Sequence, residues 1–244
     1  MKINKWSIIT PVSMALFIGA LFLLDKGLDW VIALSLSIIL HELAHGVMVR
    51  STGMKFNMIF IPFLAAGVIP SDQPKFLALP VYKQASIALA GPLTNAILLV
   101  IGIFLLNQPN LASLGNQLVT INLMLIVLNM APIGPLDGSR ISSAILQGMK
   151  NWWLKGILSF YFMLVSAISL FFFFADKGQI SQTYLIILIV LSVLGVATKL
   201  IPSKSQSTPM TDTERALTFT MFFALASLNF ICILPVLLHL PLLF

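Results

Sequence analysis

Apolar residues in this chain come in long blocks rather than alternating with polar ones. Seven such runs stand out, at residues 6–24, 30–49, 85–106, 118–130, 152–175, 183–200 and 216–234. Most approach the ~20 residues a helix needs to cross hydrocarbon. They carry no polar stripe of the kind a surface helix shows every three to four residues. The pattern predicts an all-α integral membrane protein of about seven transmembrane helices.

One segment departs from it. Between Met54 and Ile69, Phe56, Met58, Phe60, Pro62 and Phe63 are β-prone or apolar, Ala65-Ala66-Gly67 supplies a flexible bend, and Pro62 and Pro70 break the run. That stretch is too short to span as a helix, so it predicts a membrane-associated β-hairpin or re-entrant loop after the second span. Residues 71–83 read as a polar connector. Gly91-Pro92 should bend the third span, and Ala131-Pro132-Ile133-Gly134-Pro135 should stop the fourth abruptly. A short interfacial helix over 139–150 follows, with Arg140 and Lys150 on its polar side.

Composition supports a membrane protein. With 59% hydrophobic and 9% charged residues and a mean hydropathy of +1.01, no globule of this size hides the apolar surface. A single cysteine, Cys232, excludes an internal disulfide and a cysteine-rich metal site. The net charge of +6 reads as an orientation signal, not as nucleic-acid binding. If the seven runs alternate, Lys26 and Lys177 fall on one side and the other twelve Lys and Arg on the opposite one. This places the N-terminus in the cytoplasm, most simply across a prokaryotic plasma membrane.

The chemistry lies in the second run, which contains His41-Glu42-Leu43-Ala44-His45. Residues four apart on a helix stack on one face, so both imidazoles address one point. Two neutral imidazoles make half of a tetrahedral zinc site, and the adjacent Glu42 is suited to accept a proton from attacking water. The plainer alternative is a pair of histidines bonded to neighbouring helices. Ionisable groups are expensive at membrane depth, which favours function.

A catalytic zinc needs a third protein ligand and one open position. His239, the remaining histidine, falls at the opposite membrane face. Asp137 follows the broken end of the fourth run on the same side as the histidines. Spacing leaves two roles open for it, ligand or N-cap of the next helix. Asn129 and Asn95 are candidates for substrate or oxyanion contact, or for ordinary helix-to-helix hydrogen bonds. Ser37, one turn before His41, is a candidate supporting residue.

Together, His41-Glu42-Leu43-Ala44-His45 and Asn129-Met130-Ala131-Pro132-Ile133-Gly134-Pro135-Leu136-Asp137-Gly138 resemble the two motifs of the site-2 protease family, intramembrane zinc metalloproteases. Gly91, Pro92 and Asn95 fit the family as well. The resemblance covers residues 30–145, a three-span catalytic core, flanked by an N-terminal span (6–24) and three C-terminal spans (152–244) in one membrane domain (1–244). It implies one zinc ion held by His41, His45 and Asp137, with Glu42 as general base and then acid. The implied activity is hydrolysis of a peptide bond within or near a transmembrane segment of a membrane protein substrate.

Residues 46–136 leave no room for the PDZ domain many relatives carry, and the apolar tail gives no sign of a CBS domain. A regulatory membrane partner is therefore expected, alongside the lipid bilayer, and no nucleic acid. Two other functions compete. An inactive scaffold that binds membrane helices has no evident need of Glu42 in lipid, and a metal transporter needs polar residues across the whole bilayer.

Overall fold

The computed structural model describes residues 5–62, 65–132, 134, 136–175 and 207–237. The sixth expected span, residues 183–200, and His239 lie outside these. The described chain is mostly helical: α1 (Trp6–Phe22), α2 (Leu28–Ser51), a hairpin of β1 (Phe56–Ile61) and β2 (Ala65–Pro70), α3 (Gln73–Leu77), α4 (Val81–Leu106), α5 (Ala112–Met130), α6 (Asp137–Leu146), α7 (Trp152–Ala175) and α8 (Asp212–Leu237). Among the described residues α2, α4 and α5 are long and apolar enough to cross a membrane, and Ile8–Phe22 is a shorter apolar helix. Large apolar side chains such as Val47, Ile97 and Phe104 are exposed on these helices, as lipid-facing positions are.

The chain divides into two compact units. The first holds Met1–Phe76 and Thr94–Asn122. Here α2 opens with Asp29 and closes with Arg50, charges that suit the two ends of the helix dipole. Gly53, at φ 80°, then turns the chain into β1, a conformation that costs glycine least. The strands pair antiparallel, Phe56 opposite Pro70 and Ile61 opposite Ala65. The Ser71 N–H donates to the Lys55 carbonyl at 2.9 Å, which sets the alternation. Asn57, Ile59 and Ile61 therefore point their backbone groups at β2, while Met58 and Phe60 point theirs outward.

Those outward groups are covered by α1. Thr10 Oγ1 donates to the Met58 carbonyl (2.7 Å), and Ser13 Oγ accepts from the Phe60 N–H (3.3 Å). Phe17 packs its ring on Phe60, centroids 5.8 Å apart. On β2, the outward backbone belongs to Ala66 and Val68 by the same alternation.

In the same unit the C-terminal half of α4 runs beside the start of α5. A Cβ on Gly115 would lie 2.7 Å from the Leu106 nitrogen and 2.9 Å from the Gly102 carbonyl oxygen, so only glycine allows that approach.

The second unit holds Leu77–Leu93 and Leu123–Phe244. The interfacial helix expected over 139–150 is shorter and deeper: α6 starts at Asp137, ends at Leu146 and buries Ile141, Ser142, Ala144, Ile145 and Leu146. Only Arg140 is well exposed among its charged positions. Its start presses on the end of α5, since a Cβ on Gly138 would overlap the Met130 carbonyl. Gly148, at φ 73°, turns the chain away after α6.

Within this unit α7 and α8 meet through aromatic rings, with Phe162 edge-on to Phe222 at 4.7 Å. Thr211 and Glu214 form a reciprocal capping box at the start of α8. The helix consequently begins at Asp212, four residues before the hydrophobic run suggests. Arg215 donates to the Gln147 carbonyl at 3.2 Å, tying α8 to the end of α6.

The single polar connector expected over 71–83 contains α3 and the first turn of α4. Pro92 sits inside α4, which continues on both sides of it. The expected seven-span count is matched only in part, since three helices meet the length and hydropathy of a span among the described residues.

Candidate metal centre

Helical spacing brings the two histidines of α2 together as expected. His41 Nε2 and His45 Nε2 are 3.1 Å apart, with their rings nearly perpendicular at 83°. Two nitrogens at ~2.0–2.1 Å from a tetrahedral zinc lie about 3.3 Å from each other, so the pair is close to ligand spacing. His41, Glu42 and His45 are all buried. Burial in an apolar helix leaves these groups few ordinary solvent contacts.

The third ligand that the family resemblance implies is Asp137. Asp137 is buried at the first residue of α6. The cap position itself belongs to Leu136, which makes no side-chain cap bond, so the N-cap role left open by the sequence is not the one Asp137 takes.

The donor chemistry fits zinc. Two imidazole nitrogens and one carboxylate oxygen are a known catalytic set that keeps a fourth position open, and the absence of thiolate in the set suits a hydrolytic rather than a purely structural site.

Of the two roles the sequence leaves open for Asn95, the structure shows hydrogen bonds to neighbouring helices. Its Oδ1 accepts the His41 Nδ1–H at 2.5 Å, and its Nδ2 donates to Asn122 Oδ1 at 3.0 Å. Asn95 thus supports one of the paired histidines. Donation from Nδ1 leaves the Nε2 lone pair of His41 for the metal.

Asn122 in turn donates to Ser37 Oγ at 2.9 Å and to the Leu118 carbonyl at 2.8 Å. Ser37 therefore reaches His41 through two asparagines and not directly. Ser37, Asn95 and Asn122 are fully buried. The sequence reading gave Asn122 no function; its signal was a carboxamide in an apolar span, with no serviceable surface role. Asn129 is half-buried in the last turn of α5.

Packing holds the motif helix against the hairpin. Gly46, next to His45, faces the ring of Phe56 so closely that a Cβ would overlap it.

Comparison with known proteins points the same way. Residues 30–113 match peptidase family M50. The chain is also 32% identical over 145 residues to the zinc metalloprotease MJ0392 of Methanocaldococcus jannaschii. That similarity covers 57% of this chain and 41% of the relative, so the chain spans about two fifths of the curated relative it matches.

Proposed function

Because residues 30–113 match the model of peptidase family M50, we propose that the protein is a member of that family and a zinc-dependent intramembrane endopeptidase. Its substrate is a membrane protein, cut within or near a transmembrane segment. The observation that carries this reading is the pairing of the buried His41 and His45, Nε2 to Nε2 at 3.1 Å, beside Glu42 on α2.

His41 Nε2, His45 Nε2 and an Asp137 carboxylate oxygen would hold the ion. When bound, zinc supplies Lewis acidity toward the scissile carbonyl and toward water. Glu42 takes a proton from the water whose oxygen attacks the carbonyl carbon. It returns that proton to the amine nitrogen as the carbon–nitrogen bond breaks. Asn95 keeps His41 in the orientation that work requires.

A transmembrane helix shields its amides by hydrogen bonding, so substrate must be extended before it is cut. The hairpin is suited to hold it by strand addition. Thr10 and Ser13 already bond two of the outward groups of β1, the Met58 carbonyl and the Phe60 N–H, so the incoming peptide pairs with Ala66 and Val68 on β2. Asn129 is retained as a candidate contact for the substrate backbone. The chain crosses the membrane seven times with its N-terminus and active site toward the cytoplasm. The partition of Lys and Arg across the apolar runs supports this orientation.

The test is co-expression with single-span membrane proteins, comparing wild type with Glu42→Gln. Product should appear with wild type and vanish with the variant, while both retain zinc. Intact substrate across a broad panel, with zinc bound to wild type, counts against the reading.

A further inference from the structure

Hydrogen bonds around His41 have a direction, and that direction has a source. The carbonyl of Leu118 can only accept. The Asn122 side chain faces it from one turn along α5 and donates to it through Nδ2. That choice turns Asn122 Oδ1 toward Asn95. An acceptor there requires Asn95 to present its Nδ2, which leaves Asn95 Oδ1 facing His41. His41 must then donate from Nδ1. Reversing Asn122 would set oxygen against oxygen at Leu118 and Nδ2 against Nδ2 at Asn95, and reversing Asn95 would set its Oδ1 against that of Asn122.

We infer that Asn122 and Asn95 form a relay by which the Leu118 carbonyl of α5 fixes the tautomer of His41, proton on Nδ1 and lone pair on Nε2. Both asparagines are positioning residues and Asn122 acts without touching the imidazole. Ser37 has a different part. Its hydroxyl accepts from Asn122 but is able to rotate and donate, so it occupies the second Nδ2 proton without setting direction. It also closes the loop onto α2, one turn before His41. The inference rests on the zinc reading for its purpose, though not for its geometry. Full burial of all three side chains keeps water from breaking the order of the bonds.

The chain has three histidines, so imidazole 15N spectroscopy can resolve each tautomer. The experiment uses full-length protein in lipid nanodiscs, labelled at histidine and stripped of metal. Wild-type His41 should show the Nδ1–H tautomer. Asn122→Leu should shift it toward the Nε2–H form and weaken zinc binding ~3–10-fold, measured against a competing chelator. Asn95→Leu should weaken it ~10–100-fold, and Ser37→Ala should leave the tautomer as in wild type. In cobalt-loaded protein, the visible spectrum should change with Asn122→Leu and hold with Ser37→Ala.

A wild-type His41 carrying its proton on Nε2 overturns the relay, whatever the variants do and whether or not they fold. So does Asn122→Leu with wild-type tautomer and wild-type zinc affinity. A chain whose Nδ1–H tautomer is lost in Asn122→Leu but that cleaves nothing upholds the relay and sinks the protease reading alone.

Discussion

Gly46 lies against the ring of Phe56 with no room for a methyl group between them. One residue after the second histidine, the motif helix thus meets the first strand of the hairpin by direct contact of backbone and ring. Gly46→Ala should push Phe56 aside, lower stability by ~1–3 kcal/mol and cut cleavage more than zinc content. Thermal unfolding, metal analysis and a cleavage assay read the three effects. Phe56→Ala in the Gly46→Ala background should restore part of the stability, because the obstacle is a side chain.

Gly138 presents a harder case. The obstacle there is the Met130 carbonyl, which is backbone at the end of α5. Gly138→Ala should therefore be costlier than Gly46→Ala, by roughly 3 kcal/mol or more, since overpacking has no side chain to displace. Asp137 is the adjacent residue, so zinc content should fall along with stability. Normal zinc in a well-folded Gly138→Ala protein contradicts this.

Removal of the ion separates ligand from base. A strong chelator should abolish cleavage, and added zinc should restore it. Asp137→Asn should lower zinc affinity by at least ~10-fold, since it replaces an anionic ligand with a neutral one. Glu42→Gln should keep zinc and lose ~10²–10⁴-fold in rate, the range of a positioned acid–base group.

The two hairpin edges should respond differently. Ala66→Pro and Val68→Pro each delete an outward N–H on β2, where a proline is sterically tolerable. Cleavage of a transmembrane substrate should drop while zinc binding stays. Thr10→Val and Ser13→Ala, on the covered β1 side, should lower stability and leave KM for substrate nearly unchanged. Equal effects from both pairs argue against strand addition at β2.

Much of this was legible from residue order. The paired histidines follow from helical periodicity, and the hairpin from the β-prone residues at Phe56, Met58 and Phe60 in a run broken by Pro62 and Pro70. Helix ends were less legible. α8 starts at the Thr211–Glu214 capping box, and hydropathy is blind to polar residues that cap. Asp137 illustrates a second limit: spacing could not separate ligand from N-cap, because that depends on which residue turns first into the helix. Asn95 and Asn122 show a third. A buried carboxamide announces that it needs partners, but their identity depends on how distant segments pack, and 27 residues separate these two.

The coverage of β1 by Thr10 and Ser13 bears on stoichiometry. A two-stranded sheet with both edges open is the seed of a polymer, since every added strand offers a new edge to the next. Sealed on one side, this hairpin grows in one direction only. Two copies meeting edge to edge would close on each other as a pair and stop, and no file of hairpins propagates through the membrane plane. If substrate binds by strand addition as proposed, a count of one guest strand per hairpin is set by two hydroxyl groups on the first helix, upstream of any side-chain preference.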